Sequence, residues 1–407
     1  MPWLFGKEIE IPEEWEVKKL SDLCEKVNDI VAGPFGSNLV VNDYVSEGIP
    51  IIRLQNIERN NFIEKNIKFI TKEKAKELEY HSYNSNDLVL AKLGEPIGKT
   101  CKIPEHFPDG IVVADVVRIR TSIKKTNQNF VEYVLNSKLC EKQHVRETIG
   151  TTRPRVNLEQ IRDLRFVTPP LPEQQQIASI LSNVDNLIQN TDKLIEKTTR
   201  LKKGLMQKLL TRGIGHAKFK KVKWYFGKEI EIPQEWEVVK FRSMIKMEYG
   251  TGLTEEKRDN FGNPVYGSGG LIGLHSKPIV NGPGIIVARK GSLGNVFLEN
   301  NDFFPIDTVY YITEKQTEID LKFLFYYLLF MKLENLRIVT SKPGISREDV
   351  YSYRILSISF EEQQQIASIL SNTDEKIQSY QRYKEKLQRL KKSLMQKLLT
   401  GEVRVAV

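Results

Sequence analysis

Two long stretches of the chain place apolar residues three or four positions apart, the period of helices that pack against each other. Each covers 39 residues, or roughly 58 Å at about 1.5 Å per residue. Apolar positions are Ile177, Ile180, Leu181, Val184, Leu187, Ile188, Leu194, Ile195, Leu201, Leu205 and Leu209, then Ile366, Ile369, Leu370, Ile377, Tyr380, Leu387, Leu390, Leu394 and Leu398. Thr191 and Thr198 interrupt the first stripe. We predict helices from Glu173 to Thr211 and from Glu362 to Thr400.

Shorter apolar runs, separated by glycine and proline turns, fill the regions ahead of these helices. The first region runs from about Leu20 to Thr168 and the second from about Phe241 to Ser357. The first is predicted to contain strands at 49–55, 87–92 and 111–119 and helices at 71–80 and 130–140. The second repeats part of this order, with strands at 285–290 and 307–312 and a helix at 321–333. Asn157 and Ser346 are predicted helix caps. The pattern predicts two mixed α+β modules of one fold.

Two pieces of the sequence occur twice. Glu173–Asn183 returns without change as Glu362–Asn372, and we call the distance between the two copies the helix offset. The border Trp3–Val17 returns with two substitutions as Trp224–Val238, at a larger offset, so the second interior is the shorter one. Such repeats indicate a duplicated architecture. Because the borders are nearly identical and the interiors are not, we predict one scaffold that carries two differently specified modules.

The duplication also constrains the arrangement of the helices. A long apolar stripe cannot face water, and each helix has a partner stripe in the same chain. The first helix leads from one module to the other, and the second helix leaves the second module. Paired within one chain, they run antiparallel. We therefore predict an intramolecular coiled coil that separates the modules, related by a pseudo-twofold, with the chain ends near each other.

The composition predicts a soluble protein and is compatible with a polyanionic partner. The 407 residues carry a formal net charge of +9, a moderate basic excess that is weak evidence alone. Cys24, Cys101 and Cys140 lie far apart, which indicates reduced thiols in a cytosolic protein and not a disulfide or zinc framework. No run of 18 apolar residues and no signal peptide is evident.

Catalytic signatures are mostly missing. The chain has no phosphate-binding G-x-x-x-x-G-K-[ST] loop and no H-E-x-x-H pair. The glycine-rich segment Gly267–Gly273 follows no clear strand and opens no helix, so we interpret it as a surface turn. Asn263–Tyr266 differs from the N-P-P-[FY] pattern of amino-methyltransferases by one valine, and we attribute the similarity to chance. No catalytic residue and no metal ligand is predicted.

Binding signatures are stronger. Both modules place a basic residue after a strand at a glycine turn, and both carry a second loop that combines hydroxyl and basic side chains. Such side chains contact phosphates or base edges in DNA complexes. The candidate DNA-binding residues are Arg53, Gln55, Lys92, Thr151, Thr152, Arg153, Arg155, Tyr266, Arg289, Lys290, Ser292, Ser341, Lys342 and Arg347. For any single residue, a solvated hairpin turn is the alternative.

A basic run follows the first helix. It comprises Arg200, Lys202, Lys203, Lys208, Arg212, His216, Lys218, Lys220, Lys221 and Lys223. These side chains can compensate the dipole at the helix end and otherwise face solvent, or they can lie along DNA phosphates. Both interpretations remain open.

The repeated motifs resemble the specificity subunit of type I restriction-modification systems. The matching pieces are P-E-Q-Q-Q-I-A-S-I-L at 172–181 with its echo at 362–370, the L-M-Q-K-L-L-T helix ends, I-P-x-E-W-E-V at 11–17 and 232–238, and Gly150-Thr-Thr-Arg. The resemblance covers essentially the whole chain. One departure is Phe360-Glu361, which stands where the first copy has Leu171-Pro172 and blurs the start of the second helix.

The resemblance implies two target recognition domains, at residues 1–170 and 214–361, each recognising half of an asymmetric bipartite DNA sequence. Spacer helices at 171–213 and 362–407 set the gap between half-sites and dock two methyltransferase subunits, for which Gln174, Gln175, Gln363 and Gln364 are the candidate contacts. Restriction subunits join the assembly. This chain binds no cofactor; S-adenosylmethionine, ATP and magnesium belong to the partners. The expected location is the cytoplasm.

Two other classes of protein are weighed against this one. A self-contained DNA methyltransferase or nuclease with fused recognition domains needs a cofactor or metal site, and none is found in the sequence. A coiled-coil scaffold without DNA function predicts that no duplex binds, even with a methyltransferase present.

Overall fold

The computed structural model describes residues 10–147, 155–224, 229–334 and 344–406, together with two short strands at 3–4 and 7–8. The chain divides into two compact units. Unit 1 comprises residues 1–190 and 384–407, and unit 2 comprises residues 191–383. Each unit therefore contains one module together with parts of both long helices.

Unit 1 is built mainly from two four-stranded sheets, with strand orders β11–β10–β13–β4 and β8–β5–β12–β9. A separate antiparallel pair, β3 with β14, joins the border to the last strand of the module. The strands are β1 (Trp3–Leu4), β2 (Lys7–Glu8), β3 (Glu16–Lys19), β4 (Ile30–Ala32), β5 (Ile49–Ile52), β6 (Ile57–Glu58), β7 (Asn61–Phe62), β8 (Lys68–Ile70), β9 (Ser82–Tyr83), β10 (Leu88–Ala91), β11 (Thr100–Lys102), β12 (Gly110–Val112), β13 (Val116–Ile119) and β14 (Arg165–Thr168).

Unit 2 repeats this plan with a four-stranded sheet of order β18–β24–β21–β22 and a smaller sheet of order β20–β19–β23. Its border strand β17 pairs with β25, as β3 pairs with β14 in unit 1. The strands are β15 (Phe219–Lys223), β16 (Glu229–Pro233), β17 (Glu237–Lys240), β18 (Glu248–Tyr249), β19 (Asn263–Gly267), β20 (Gly270–His275), β21 (Gly284–Ala288), β22 (Val296–Glu299), β23 (Phe304–Pro305), β24 (Val309–Thr313) and β25 (Arg354–Ser357).

The central strands confirm that the two modules share one fold. In unit 1, β10 pairs antiparallel with β11 and β13. In unit 2, β21 pairs antiparallel with β22 and β24. The single strand predicted at 111–119 is wrong, because the chain there changes sheets: β12 pairs with β5 and β13 pairs with β10.

The eight α-helices of the described residues are α1 (Lys72–Glu77), α2 (Gln128–Leu135), α3 (Lys138–Glu147), α4 (Leu158–Arg162), α5 (Leu171–Arg212), α6 (Leu321–Met331), α7 (Arg347–Tyr351) and α8 (Phe360–Leu398). The helix predicted at 130–140 is two helices, α2 and α3. The caps at Asn157 and Ser346 are confirmed, since each side chain accepts a hydrogen bond from the third backbone N–H of its helix.

The two long helices are confirmed, with 42 residues in α5 and 39 in α8. They run antiparallel within each unit. In unit 1, Leu398 belongs to the same buried cluster as Ile177, while Lys391 pairs with Asp185. Unit 2 shows the equivalent order for its own segments of the two helices.

The buried side chains along each long helix, here called the buried line, follow a stricter spacing than the apolar stripe in the sequence. Thr191, predicted to interrupt the stripe, is 3% exposed and lies on this line. Leu187, Leu194 and Leu201 are 45%, 43% and 56% exposed, so their predicted burial is wrong. Each precedes a position of the buried line by one residue, which rotates its side chain by about 100° around the helix axis.

Candidate nucleic-acid interface

The basic residue that follows the central strand of each module meets the second predicted loop. In unit 1, the Val156 N–H donates to the Lys92 carbonyl at 3.1 Å. In unit 2, the Ile345 N–H donates to the Arg289 carbonyl at 2.9 Å. Because Val156 and Ile345 are related by the helix offset, the two modules join these elements at equivalent places.

In unit 1 this junction brings Lys92 and Arg155 together beside Asp115. Arg155 is exposed, and its Nη2 donates to Asp115 Oδ1 at 2.8 Å. The pKa of the half-buried Lys92 lies below its ordinary value, mainly because burial disfavours the charged amine. The Asp115 carboxylate opposes this shift, and the Arg155 guanidinium adds to it. The cluster carries two cations and one carboxylate, so it can contact an anion through Lys92 and the exposed face of Arg155.

In unit 2 the junction places two guanidinium groups on one aromatic ring. The Arg347 and Arg289 guanidinium carbons lie 4.3 Å and 4.9 Å from the centroid of the Tyr249 ring, which is 45% exposed. Arg289 also lies 5.3 Å from the ring centroid of Tyr310, whose pKa burial raises to about 12. Neither arginine forms an ion pair among the described residues. Cation–π contacts fix both groups and leave their charge unneutralised.

Backbone carbonyls hold these arginines from the other side. Arg289 Nη1 donates to the Asp307 carbonyl at 3.0 Å, and Arg347 Nη1 donates to the Met247 carbonyl at 3.1 Å. Each guanidinium has five N–H donors, so donors remain for a phosphate or a base edge. Lys290 and Ser292, on the glycine turn that follows Arg289, are exposed.

The glycine turn is fixed by close packing. Gly294 has φ +80°, and a Cβ on it would lie 2.3 Å from the Glu334 backbone nitrogen. Gly98, its counterpart in unit 1, has φ +79°, and a Cβ there would lie 2.4 Å from the buried His144 ring. Any side chain at either position would push the turn away from its module.

Three other predicted DNA contacts that the structure describes, Arg53, Gln55 and Tyr266, are not part of these clusters. Arg53 and Gln55 both donate to the Asn66 carbonyl, at 2.7 and 3.4 Å. Tyr266 is half-buried on β19, and its hydroxyl donates to Glu299 at 2.8 Å. Thr151, Thr152, Arg153, Ser341 and Lys342 lie outside the described residues. The segment Gly267–Gly273 does follow a strand, contrary to the sequence interpretation, and forms the hairpin of β19 and β20.

Two of the four predicted docking glutamines are buried within the units. Gln174 is 1% exposed; its Oε1 accepts from the Asn127 N–H at 2.8 Å, and its Nε2 donates to the Pro169 carbonyl at 2.8 Å. Gln363 is 6% exposed and makes the equivalent contacts to Asp320 and Ile358. These two amides bind the starts of α2 and α6, and because they are buried they are not accessible to a partner subunit. Gln175 and Gln364 are exposed.

A duplicated tryptophan–glutamate contact, missed from the sequence, joins the border to each long helix. Trp15 Nε1 donates to Glu173 at 2.9 Å in unit 1, and Trp236 Nε1 donates to Glu362 at 3.0 Å in unit 2. Burial raises the pKa of Glu173, but hydrogen bonds from Arg404 and Trp15 outweigh it, so the pKa lies below its ordinary value. In unit 2, His216 takes the place of the arginine, at 2.9 Å from Glu362.

A second duplicated cluster links the module helix to both long helices. In unit 1, the Tyr133 hydroxyl donates to Asp185 at 2.8 Å, and Lys391 lies 2.7 Å from the same carboxylate. Tyr326, Asp374 and Lys202 repeat this arrangement in unit 2, at 2.8 and 2.6 Å. The signal was available in the sequence, because the helix offset relates the two aspartates and also the two lysines.

Several members of the basic run after the first helix are neutralised within unit 2. Lys202 pairs with Asp374, Arg212 with Glu231, and His216 with Glu362. These contacts favour the helix-end interpretation for those three residues and leave the phosphate interpretation for the exposed lysines.

No group of three or more metal-ligating side chains occurs in the part of the chain that the structure describes. The three cysteines are free and buried, and burial raises the pKa of the Cys24 and Cys140 thiols to about 12. Of the described helices, none is both long and apolar enough to cross a membrane.

Known proteins share this architecture. The family model described as type I restriction modification DNA specificity domain matches residues 12–200 and 233–389. Two specificity subunits of Methanocaldococcus jannaschii, the putative MjaX and the MjaVIII type I restriction enzymes, are each 28% identical. The alignments cover 97% and 98% of this chain and 95% of each relative.

Two solved structures match at 16% identity. One is the type I restriction-modification S subunit from M. genitalium, with a TM-score of 0.63 over 96% of this chain and 98% of that one. The other comes from work on complex assembly and conformational transition of the type I R-M system, with a TM-score of 0.55 over 97% of this chain and 100% of that one.

Proposed function

The chain belongs to the type I restriction modification DNA specificity family, and from that membership we propose that it is the DNA-recognition subunit of a type I restriction-modification complex. Each module recognises one half of an asymmetric bipartite DNA target. Methyl transfer and cleavage are carried out by partner subunits, and this chain contributes no catalytic group.

The observation that carries this proposal is the equivalent junction with unequal side chains. Both modules bring a loop to the carbonyl of the basic residue after the central strand. One presents Lys92 and Arg155 beside a carboxylate, whereas the other presents two arginines on a tyrosine ring. An arginine can bind guanine through two hydrogen bonds, and a lysine contacts phosphate or base as a point charge. Equal placement with unequal chemistry supports two half-sites of different sequence.

The partners follow from the family and remain part of the proposal. Two methyltransferase subunits dock on the long helices, restriction subunits join them, and the helices set the gap between half-sites. The exposed line Leu187, Leu194 and Leu201 supports docking, because leucines at heptad spacing suit a partner helix. S-adenosylmethionine, ATP and magnesium are bound by the partners, in the cytoplasm.

Mapping of methylated bases tests the proposal. The chain is co-expressed with its methyltransferase subunit in a host that lacks other methylases, and methylated positions are read by single-molecule sequencing. The expected result is one motif made of two different half-sites with a fixed gap. A host with the methyltransferase subunit alone is the control and should show no such motif. Methylation or cleavage of DNA by the purified chain alone would instead support a self-contained enzyme.

A further inference from the structure

Each unit contains a cavity beside the end of one long helix. In unit 1 a cavity of ≈ 430 Å³ lies between the last turns of α8 and the residues after α2. In unit 2 a cavity of ≈ 640 Å³ lies between the last turns of α5 and the end of α6. Of the candidate DNA-binding residues that the structure describes, none lines either cavity, although Lys202 and Lys203 of the basic run line the cavity in unit 2.

The helical walls of the two cavities have the same five residues. In unit 2 these are Lys202, Lys203, Met206, Gln207 and Thr211. In unit 1 they are Lys391, Lys392, Met395, Gln396 and Thr400, each related to its counterpart by the helix offset. The opposite walls differ, with Asn136–Leu139 in unit 1 and Leu329–Lys332 in unit 2. At a sixth equivalent position, Thr199 lines the cavity in unit 2 and Gln388 lines the cavity in unit 1. Five shared wall residues in units whose interiors differ indicate the same occupant in both.

The charge of the cavity rims is positive. Lys202 and Lys391 are neutralised by Asp374 and Asp185. By contrast, one further lysine on each helix wall and one on each opposite wall are exposed and form no ion pair among the described residues: Lys203, Lys332, Lys392 and Lys138. Among the described residues, no aspartate lines either cavity, and no glutamate does.

The interior surfaces are largely apolar. Met206 lines the cavity of unit 2 with Trp224, Ile230 and Leu329, and Met395 and Leu139 line the cavity in unit 1. A methionine thioether adapts to side chains of several shapes. DNA phosphates would gain nothing from such a lining, whereas a peptide that carries both an apolar and an acidic side chain would use the lining and the rim.

We propose that each cavity binds an acidic segment of a methyltransferase subunit, one copy in each. A carboxylate of that segment lies against Lys203 or Lys392, and a neighbouring apolar side chain fills the space beside Met206 or Met395. This inference rests on the proposed function, since it assigns the contact surface of the proposed partner. It places the contact on the L-M-Q-K-L-L-T ends of the helices and not on the glutamines at their beginnings.

Charge reversal at one cavity at a time tests the proposal. Lys203→Glu and Lys392→Glu, separately and together, are introduced in the full chain. Lys197→Glu and Lys386→Glu are matched controls, because both lysines are exposed, occupy equivalent positions on the two long helices and line neither cavity. Native mass spectrometry counts methyltransferase subunits per chain, titration gives their affinities, and anisotropy with a labelled duplex gives DNA affinity.

Each single variant should lower the affinity for one of the two methyltransferase subunits by about tenfold or more, because like charges across an interface repel. The double variant should weaken the binding of both subunits, whereas the controls should match wild type, as should the DNA affinity of Lys392→Glu, whose lysine lies outside the basic run. Circular dichroism shows whether each variant is folded. A second pair of variants, Met206→Gln and Met395→Gln, should lower the affinity for the same subunits without a change of charge.

Three results would overturn the proposal in different ways. Two subunits bound by the double variant with wild-type affinity would show that the cavities are not the contact. Loss of DNA affinity with unchanged subunit binding would make them phosphate contacts. Failure of the wild-type chain to bind any methyltransferase subunit would reject the proposed function itself. A photocrosslinker at Gln207 or Gln396 should capture a segment rich in aspartate or glutamate, and capture only of a basic or neutral segment would also overturn it.

Discussion

At the scale of single residues, side chains with similar sequence signals play different roles. Arg289 and Arg347 are held by Tyr249 and by backbone carbonyls without a carboxylate partner among the described residues. Arg53, which the sequence predicts as a DNA contact from its place near the end of a strand, instead donates to the Asn66 carbonyl. An arginine positioned by a ring loses little further freedom on binding an anion.

Arg289→Ala and Arg347→Ala should each weaken DNA binding by roughly 1–3 kcal/mol, because each removes a positioned cation from one half-site. Anisotropy titrations at fixed salt would measure the loss on a duplex with both half-sites. On a duplex with the second half-site scrambled, variant and wild type should bind equally. Arg382→Ala, which removes an exposed arginine of α8 outside the basic run, is the control. Equal losses on both duplexes would contradict base recognition by these residues.

Glu132 supplies a prediction about pH. This carboxyl on α2 is 8% exposed, and burial raises its pKa to about 7, against the hydrogen bond that it accepts from the Lys102 N–H. A raised carboxyl pKa stabilises the fold at low pH, and the stabilisation is lost as pH rises through about 7.

In the wild type, the free energy of unfolding should fall by on the order of 1–3 kcal/mol from pH 5 to pH 8 because of this carboxyl. Glu132→Gln should abolish that fall. Urea unfolding at both values would measure it. Glu159→Gln, at a carboxyl on the surface helix α4, is the control and should keep the wild-type pH dependence. A Glu132→Gln variant whose stability falls with pH as the wild type does would exclude this carboxyl as the cause.

At the scale of elements, the long helices were predictable in extent because their repeat persists from end to end without an internal proline. The packing of the helices was not predictable, because the apolar positions in the sequence belong to two different lines along the helix, one buried and one exposed. The buried line accepts Thr191, while Leu194 is left exposed on the flank. Apolarity alone could not separate the lines; the alternating steps of four and three from Ile177 to Leu209 do.

The role of Gln174 could not be predicted for a related reason. A repeated glutamine signals only that its environment is repeated. Here that environment is the start of the module helix, where the side chain accepts the Asn127 N–H. The junction of Lys92 with the second loop was not predicted either: both pieces recur in the same order, but their order along the chain does not show that they meet. The packing of Arg289 and Arg347 on the Tyr249 ring could not be predicted, because Tyr249 lies outside the repeated segments of the sequence.

Insertion of one heptad in each helix, after Lys193 and after Arg382, should lengthen the permitted gap between half-sites. Seven residues add about 10.5 Å at about 1.5 Å each, or about three base pairs at about 3.4 Å per step. Methylated-site mapping would show the new gap with unchanged half-sites. Insertion in α5 alone, which breaks the match between the buried lines, is the control and should destabilise the chain. An unchanged gap in the double insertion would contradict the idea that the helices set it.

At the scale of the whole molecule, constant residues hold each module and variable residues occupy its interior. Gln174 holds the start of α2, Asp185 binds Tyr133, and Glu173 binds Trp15. Unit 2 repeats all three contacts with its own residues. A module from a relative should therefore be accepted wherever it keeps the tyrosine and the helix start that these residues bind.

Exchange of residues 20–168 for the corresponding module of a relative should change one half-site and leave the other unchanged. Methylated-site mapping of the chimera would measure this. The control is a chimera in which phenylalanine replaces the tyrosine of the new module that corresponds to Tyr133; it should keep the new half-site and lose roughly 1 kcal/mol of stability, because Asp185 loses a hydrogen bond. A change in both half-sites would show that the modules do not act separately.

The division into units has a consequence for synthesis on the ribosome. Unit 1 needs residues 384–407, since Leu398 and Leu399 belong to its core and Arg404 binds Glu173. Unit 2 is one continuous segment. At about 5–20 residues per second, the first module waits roughly 10–40 s while that segment is made. The half that emerges first is thus completed last, and over that interval Ile177 and Leu181 are candidates for chaperone binding.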